Sequence, residues 1–345
     1  MQIRWKALEI PLTREFRIAY GVSTSYTGVL VRVDVDGVKG YGESSPSKMV
    51  TGETVGGVQS ALAILAERVD ATTPQQFQEA AEKVMIYNHS AKAAVDIALW
   101  DAMGKRAGMP LWKMLGARRS EVLTSWTVGI APEEEMIRTA EEYVEQGFRA
   151  IKVKIGDDPE KDVRVVRRIA DLGVKVWADA NQAYTPKKAT EVISMIEDVV
   201  EFVEQPVPWW DLRGLRFVRN SVSAPIMADE ALKSIHDLQR MVEMEAVDAV
   251  NIKLQKVGGI TPAMEIAALA KRNGLKIMVG CMTETRVGIG AGVHFALGAG
   301  VDYADLDGHR DLSADVADGS FTTEGGYHRA LDLPGLGLRN VRVEM

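Results

Sequence analysis

Ile151-Lys152-Val153-Lys154-Ile155 alternates apolar and basic residues over five positions. The pattern predicts a short buried strand, in which residues two apart share a face. Lys152 and Lys154 then project together, while Ile151, Val153 and Ile155 pack on the other side. Two ammonium groups beside an apolar layer repel each other and lose hydration, and both effects lower a lysine pKa. A lysine brought toward neutrality can act as a base. Taken alone, the stretch also suits a strand with two solvated lysines.

The residues that follow decide between these readings. The apolar run Val174–Ala178 ends at Asp179, Val200–Val203 at Glu204, Ala224–Ala228 at Asp229, and Ala249–Ile252 at Lys253. From Lys154 onward the charged ends recur at intervals of 25, 25, 25 and 24 residues. A strand, a helix and two short loops take about that many residues. Helix capping explains single carboxylates after strands, but not five charged ends in register.

With 345 residues, the chain has room for one large domain and a smaller one. A net charge of −7 argues against nucleic acid and anionic membrane surfaces as partners. The lone cysteine, Cys281, excludes an internal disulfide framework. The first residues lack the apolar core of a signal peptide, and Ile289–Val301 is too short and glycine-rich to span a bilayer. The expectation is a cytoplasmic enzyme that forms a homo-oligomer.

Residues 1–115 read as an α+β capping domain. Val29–Val35 alternates like a half-buried antiparallel strand, Asp36-Gly37 signals a hairpin, and helical stretches follow. Two segments rich in glycine and small polar residues, about 18–28 and 44–57, read as lid loops. Residues 116–314 alternate strand and helix, with Val122–Val128 as the first of eight strands, which predicts an α/β barrel. Residues 315–345 are expected to return to the capping domain. Gly288, Gly290 and Gly292 fail the dinucleotide-loop spacing, because position 293 is Val, and read as close packing at a helix start.

Asp179, Glu204 and Asp229 would meet at adjacent strand ends, where bare carboxylates repel. All-oxygen ligation points to one Mg²⁺ per subunit, with Mn²⁺ as a substitute. Asn181 would support the ligands from behind. Lys154 and Lys253 would flank the metal, one removing a proton from a carbon beside a substrate carboxylate and the other returning one on the opposite face. Lys152 would tune Lys154 and touch that carboxylate.

The motifs Lys152-Val153-Lys154, Asp179-Ala180-Asn181, Glu204-Gln205-Pro206, Ala228-Asp229-Glu230 and Asn251-Ile252-Lys253 resemble those of the enolase superfamily, in the muconate-lactonising-enzyme subgroup. The resemblance covers nearly the whole chain. It implies a modified TIM barrel, (β/α)₇β, with Asp179, Glu204 and Asp229 on Mg²⁺, Glu230 behind them, and Lys154 and Lys253 as the acid/base pair. Asp305-Leu306-Asp307 resembles the Asp-x-Asp signature of dipeptide epimerases, where two carboxylates hold the free ammonium of an L-Ala-Xaa dipeptide. Thr127 and Cys281 are substrate-lining residues by the same resemblance. Epimerases of L-Ala-Glu carry an arginine in the first capping loop, where this chain has Tyr20-Gly21. With Met49 and Val50, that implies a second residue other than Glu, with an apolar side chain. The rival readings are another reaction of the subgroup (cycloisomerase, o-succinylbenzoate synthase or N-acylamino-acid racemase), a Schiff-base lysine enzyme, and a binding protein without turnover.

Overall fold

The computed structural model describes residues 1–345. Strands Gln2–Ile18, Gly21–Val35 and Val38–Ser44 form an antiparallel sheet. Asp36 and Gly37 both take positive φ, 51° and 79°, as a two-residue hairpin requires. Val29, Val31, Val33 and Val35 pack on helices Val55–Arg68, Pro74–Val84 and His89–Ala107 through Leu62, Leu65, Phe77, Val95 and Leu99. Gly42 lets the third strand approach the last helix, since a Cβ there would lie 2.0 Å from the Ala94 carbonyl.

The segment 18–28 is not a loop. Its residues pair as the distal part of the first hairpin, from Glu9↔Thr27 out to Ile18↔Gly21. This ribbon extends beyond the third strand, which pairs only with Val29–Val35. Most of its outer residues are exposed, so it carries small polar side chains without an apolar alternation. Residues 45–54 do lack helix and strand.

Eight parallel strands form the barrel in chain order: Trp126–Val128, Ala150–Lys154, Lys175–Asp179, Phe202–Glu204, Ile226–Ala228, Ala249–Lys253, Lys276–Gly280 and Tyr303–Asp305. The Ser125 N–H donates to the Ala304 carbonyl at 2.9 Å, tying the eighth strand back to the first. The expected strand 122–128 is split. Glu121–Leu123 turns outward to pair with Tyr327–Ala330, and only Trp126–Val128 joins the barrel. Helices between successive strands, most with side-chain N-caps such as Asp158, Thr185, Asp211, Ser234 and Thr285, complete a (β/α)₇β barrel. No helix is long and apolar enough to cross a membrane.

Period-two alternation sorts the strand residues. Ile151, Val153, Val176, Ala178, Val203, Val250 and Ile252 join the core beneath the helices. Ala150, Trp177, Phe202, Met227, Ala249 and Met278 form a separate cluster inside the barrel. That layer plugs the N-terminal half, so inward-pointing polar residues collect at the C-terminal ends. Gly288, Gly290 and Gly292 are packing glycines. A Cβ on them would meet Glu284, Ser320 and Leu306 at 2.1, 2.0 and 2.7 Å.

The C-terminal segment packs on the capping helix and on the barrel. Leu336 N–H donates to Asp101 at 2.8 Å and Leu111 N–H to the Gly335 carbonyl at 2.8 Å. Beside it, buried His294 accepts the Trp112 N–H at Nδ1, at 2.9 Å. Burial pushes His294 down to about 4. As pH falls below the ordinary value of 6.5, the unfolded chain takes up this proton first, so the folded state loses stability down to about pH 4. We expect the unfolding free energy of the wild type, relative to His294→Gln, to fall by about 3 kcal/mol between pH 7 and pH 4 in urea titrations.

Candidate active site

Strand register assembles the site. Lys154 pairs with Asp179 and Asp179 with Glu204 across adjacent strands, and Asp229 follows the fifth strand directly. Lys253 pairs with Gly280, which pairs with Asp305; on the other side Thr127 pairs with Lys152. The second and sixth strands lie four apart in an eight-stranded ring, so Lys154 and Lys253 face the carboxylates from opposite walls. All of these side chains are buried.

Ligating oxygens of Asp179, Glu204 and Asp229 lie within 4.8 Å of one another. Glu204 Oε2 and Asp229 Oδ2 accept no hydrogen bond; the Lys152 and Lys253 ammonium groups, at 2.8 and 2.7 Å, lie outside hydrogen-bonding geometry. Hard oxygen donors, buried and convergent, fit a divalent cation of the Mg²⁺ or Mn²⁺ type. The electrostatics agree. Burial and the Asp179 charge push Glu204 up to about 8. Burial opposes ionisation of Asp179 too, but Lys152 and Lys154 bring it down to about 2. Neighbouring carboxyls driven this far apart need added positive charge before all can ionise.

The lysine environment differs from the sequence expectation. Lys152 Nζ stands 3.0 Å from Asp179, 2.8 Å from Glu204 and 2.8 Å from Asp305. Burial disfavours its charge, but these carboxylates outweigh burial and hold the ammonium well above its ordinary pKa. Lys154 Nζ lies 2.6 Å from Asp179. Burial also opposes the Lys253 charge, and Asp229 more than restores it. At Lys152 and Lys253, attraction to the carboxylates outweighs burial.

Several residues the motifs did not single out hold this arrangement. Lys256 Nζ, buried, bonds Asp229 Oδ1, the Asp229 carbonyl and, at 3.1 Å, the Asn251 carbonyl. Asn251 Nδ2 donates to Glu204 at 2.7 Å. Gln205 Oε1 accepts the Asp229 and Ala231 N–H groups at 2.9 and 3.1 Å. Gln205 and Asn181 take left-handed backbone, φ 37° and 41°, at about 1–3 kcal/mol each, a cost that clusters at functional sites. Asn181 donates its N–H to Asp179 at 2.9 Å and Nδ2 to Glu230 at 3.1 Å. The one sequence cue to Lys256 is its place a helical turn after Lys253.

Asp305 accepts the Lys152 ammonium and, at 2.8 Å, the Ser125 hydroxyl. Asp307 accepts the Thr127 N–H at 2.7 Å, and Arg310 lies 3.8 Å away. A cavity of about 540 Å³ opens above, and Thr127, Cys281, Asp305 and Asp307 line it together with Tyr20, Gly21, Met49 and Val50 of the cap. The Tyr20 hydroxyl reaches Glu230 at 3.4 Å. Burial, with Asp305 and Asp307 next, pushes the Cys281 thiol far up, which suits a lining residue and disfavours a nucleophile.

The capped barrel thus gathers carboxylates from three neighbouring strand ends between two opposed lysines. The chain belongs to the mandelate racemase / muconate lactonizing enzyme family of the enolase superfamily: residues 4–116 match that family's N-terminal domain and residues 135–341 the enolase C-terminal domain-like fold. It is 36% identical to L-Ala-D/L-Glu epimerase of Clostridium acetobutylicum, over 97% of each chain. A substrate-liganded structure of the L-Ala-D/L-Glu epimerase from Bacillus subtilis superposes with a TM-score of 0.95 at 34% identity, covering 99% of both chains. The dipeptide epimerase of Enterococcus faecalis, complexed with Mg and L-Leu-L-Tyr, gives 0.94 at 35% identity, covering 98% of this chain and 99% of that one.

Proposed function

We propose that this chain is a Mg²⁺-dependent dipeptide epimerase that inverts Cα of the second residue of an L-Ala-Xaa dipeptide. The observation that carries the reading is the pair Lys154 and Lys253, facing one carboxylate cluster from strands four apart. Asp179, Glu204 and Asp229 would hold Mg²⁺, which supplies positive charge where the substrate carboxylate becomes electron-rich on losing its α-proton. One lysine takes the Cα proton from its face, and the other delivers a proton from the opposite face. Lys152 neutralises the carboxylates between them. Asp305 and Asp307 face the substrate ammonium, and Thr127 and Cys281 line its path.

For the second side chain, Phe16, Ile18, Tyr20, Met49 and Val50 offer an apolar wall, and Met49 is 59% exposed. Covering it with an apolar side chain gains about 25 cal/mol per Å² buried, which favours an apolar Xaa. A second reading, an acidic Xaa, is favoured by Lys48, exposed on the same loop and lining the same cavity. A library of L-Ala-L-Xaa dipeptides with Mg²⁺ in D₂O separates the two. We expect a one-unit mass gain at the second Cα, strongest for apolar Xaa and abolished by chelator. No gain across the library contradicts the dipeptide reading.

Asp307→Ala tests it against the other reactions of the family. Removing one anion from an ammonium site should lower kcat/KM for dipeptides by about 10²-fold. A substrate without an ammonium, such as an N-acylamino acid, should lose almost nothing. Steady-state kinetics on both substrate types decides the matter.

A further inference from the structure

Glu43 lies in the third capping strand, fully buried and apart from the carboxylate cluster. Its carboxylate accepts four donors. The Tyr26 hydroxyl, from the hairpin, reaches Oε1 at 2.5 Å. The Thr285 N–H reaches Oε1 at 2.8 Å, while Oε2 takes the Thr285 hydroxyl and, at 2.9 Å, the Gly288 N–H. Thr285 is the N-cap of the 14-residue helix Arg286–Ala299, so a capping-sheet carboxylate stands at the positive end of a barrel helix. Four N–H or O–H groups suit a group that accepts at both oxygens, the ionised carboxylate.

The same junction ties two walls of the cavity. Ser45 donates its hydroxyl to the Thr283 carbonyl at 2.7 Å. Gln255 Nε2 donates to the Glu43 carbonyl and to Glu284, each at 3.0 Å, while Oε1 accepts the Ser45 N–H at 3.0 Å. The barrel wall is Cys281–Thr283; the cap wall is the ribbon bearing Tyr20 and the loop that begins at Ser45.

We propose that Glu43 is a positioning residue for substrate binding: without touching substrate, it holds the Tyr20 ribbon and the 281–285 loop at a fixed spacing. The proposal rests on the dipeptide reading for its kinetic test but not for its structural one. Glu43→Gln keeps the volume but turns one acceptor into a donor, which sets N–H against one fixed backbone N–H and forces the hydroxyl beside it to turn and accept. We expect KM for the preferred dipeptide to rise about tenfold with kcat within about twofold, the signature of lost uniform binding. Thr285→Val removes one donor to Glu43 and the helix cap on the Val287 N–H but keeps the Thr285 N–H bond, so KM should rise about twofold to threefold. Mg²⁺ affinity by calorimetry should match wild type in both variants. Without any substrate, Glu43→Gln should also speed amide hydrogen exchange in residues 19–26 and 281–288 together, while sparing Ala150–Lys154 and Ala249–Lys253. An unchanged KM in both variants of an active enzyme overturns the proposal. So does unchanged exchange in either segment, whether or not dipeptides prove to be substrates.

Discussion

Replacing Lys154 or Lys253 with alanine should lower epimerisation by about 10²–10⁴-fold, the loss expected if each is one of the two proposed acid/base groups. The two losses have different anatomies. Lys154 comes from the second barrel strand and Lys253 from the sixth, so on the proposed mechanism each would serve one face of a substrate held between them. A dipeptide whose α-proton faces the remaining lysine can still be deprotonated, but nothing on the far side completes the inversion. The folded state should survive both changes. Lys152 stays beside Asp179 when Lys154 is lost, and Lys256 stays on Asp229 when Lys253 is lost. Chiral chromatography of the products measures the loss directly.

Chelation of divalent cations should remove turnover by 10³-fold or more, on the order of what preorganised charge at a developing anion supplies. Added Mg²⁺ should restore it. The same ion should act on stability. Asp179, Glu204 and Asp229 are buried and converge, so a cation that binds only the folded chain raises its stability by about 2.7 kcal/mol at a hundredfold excess over Kd. Glu204→Gln isolates the contribution of charge. Its Oε1 partner, Asn251, can be kept by the amide oxygen, while the convergent anionic oxygen is lost. Calorimetry with Mg²⁺ should show affinity lowered by at least about tenfold, as expected on removing one unit of charge from a buried oxygen site. Thermal unfolding of this variant should need about tenfold more Mg²⁺ for the same stabilisation.

The site was legible where the fold repeats itself. Each βα unit returns the chain to the same depth after about 25 residues, so Lys154, Asp179, Glu204, Asp229 and Lys253 declare themselves by interval. The side on which Lys152 and Lys154 point was legible for the same local reason, the period of a strand. What lay between residues far apart in the chain was not. Lys152 has Asp305 as a partner 153 positions away, which joins Asp179 and Glu204 in holding its ammonium well above the ordinary pKa. Glu43 meets Thr285 across 242 positions. Lys256 is offset from the strand-end register by a short helix, Leu254–Val257, so no interval marks it. The ribbon 18–28 was not legible as strand, because an exposed two-stranded extension has no buried face to print an apolar alternation.

The most direct test of the two-lysine account is α-proton exchange in D₂O with Lys154→Ala and Lys253→Ala, each given the L,L and the L,D form of the preferred dipeptide. The account predicts complementary behaviour: one variant labels only one isomer, the other variant labels only the other, and neither interconverts them. Exchange of the same isomer by both variants, or inversion by either one, would contradict it.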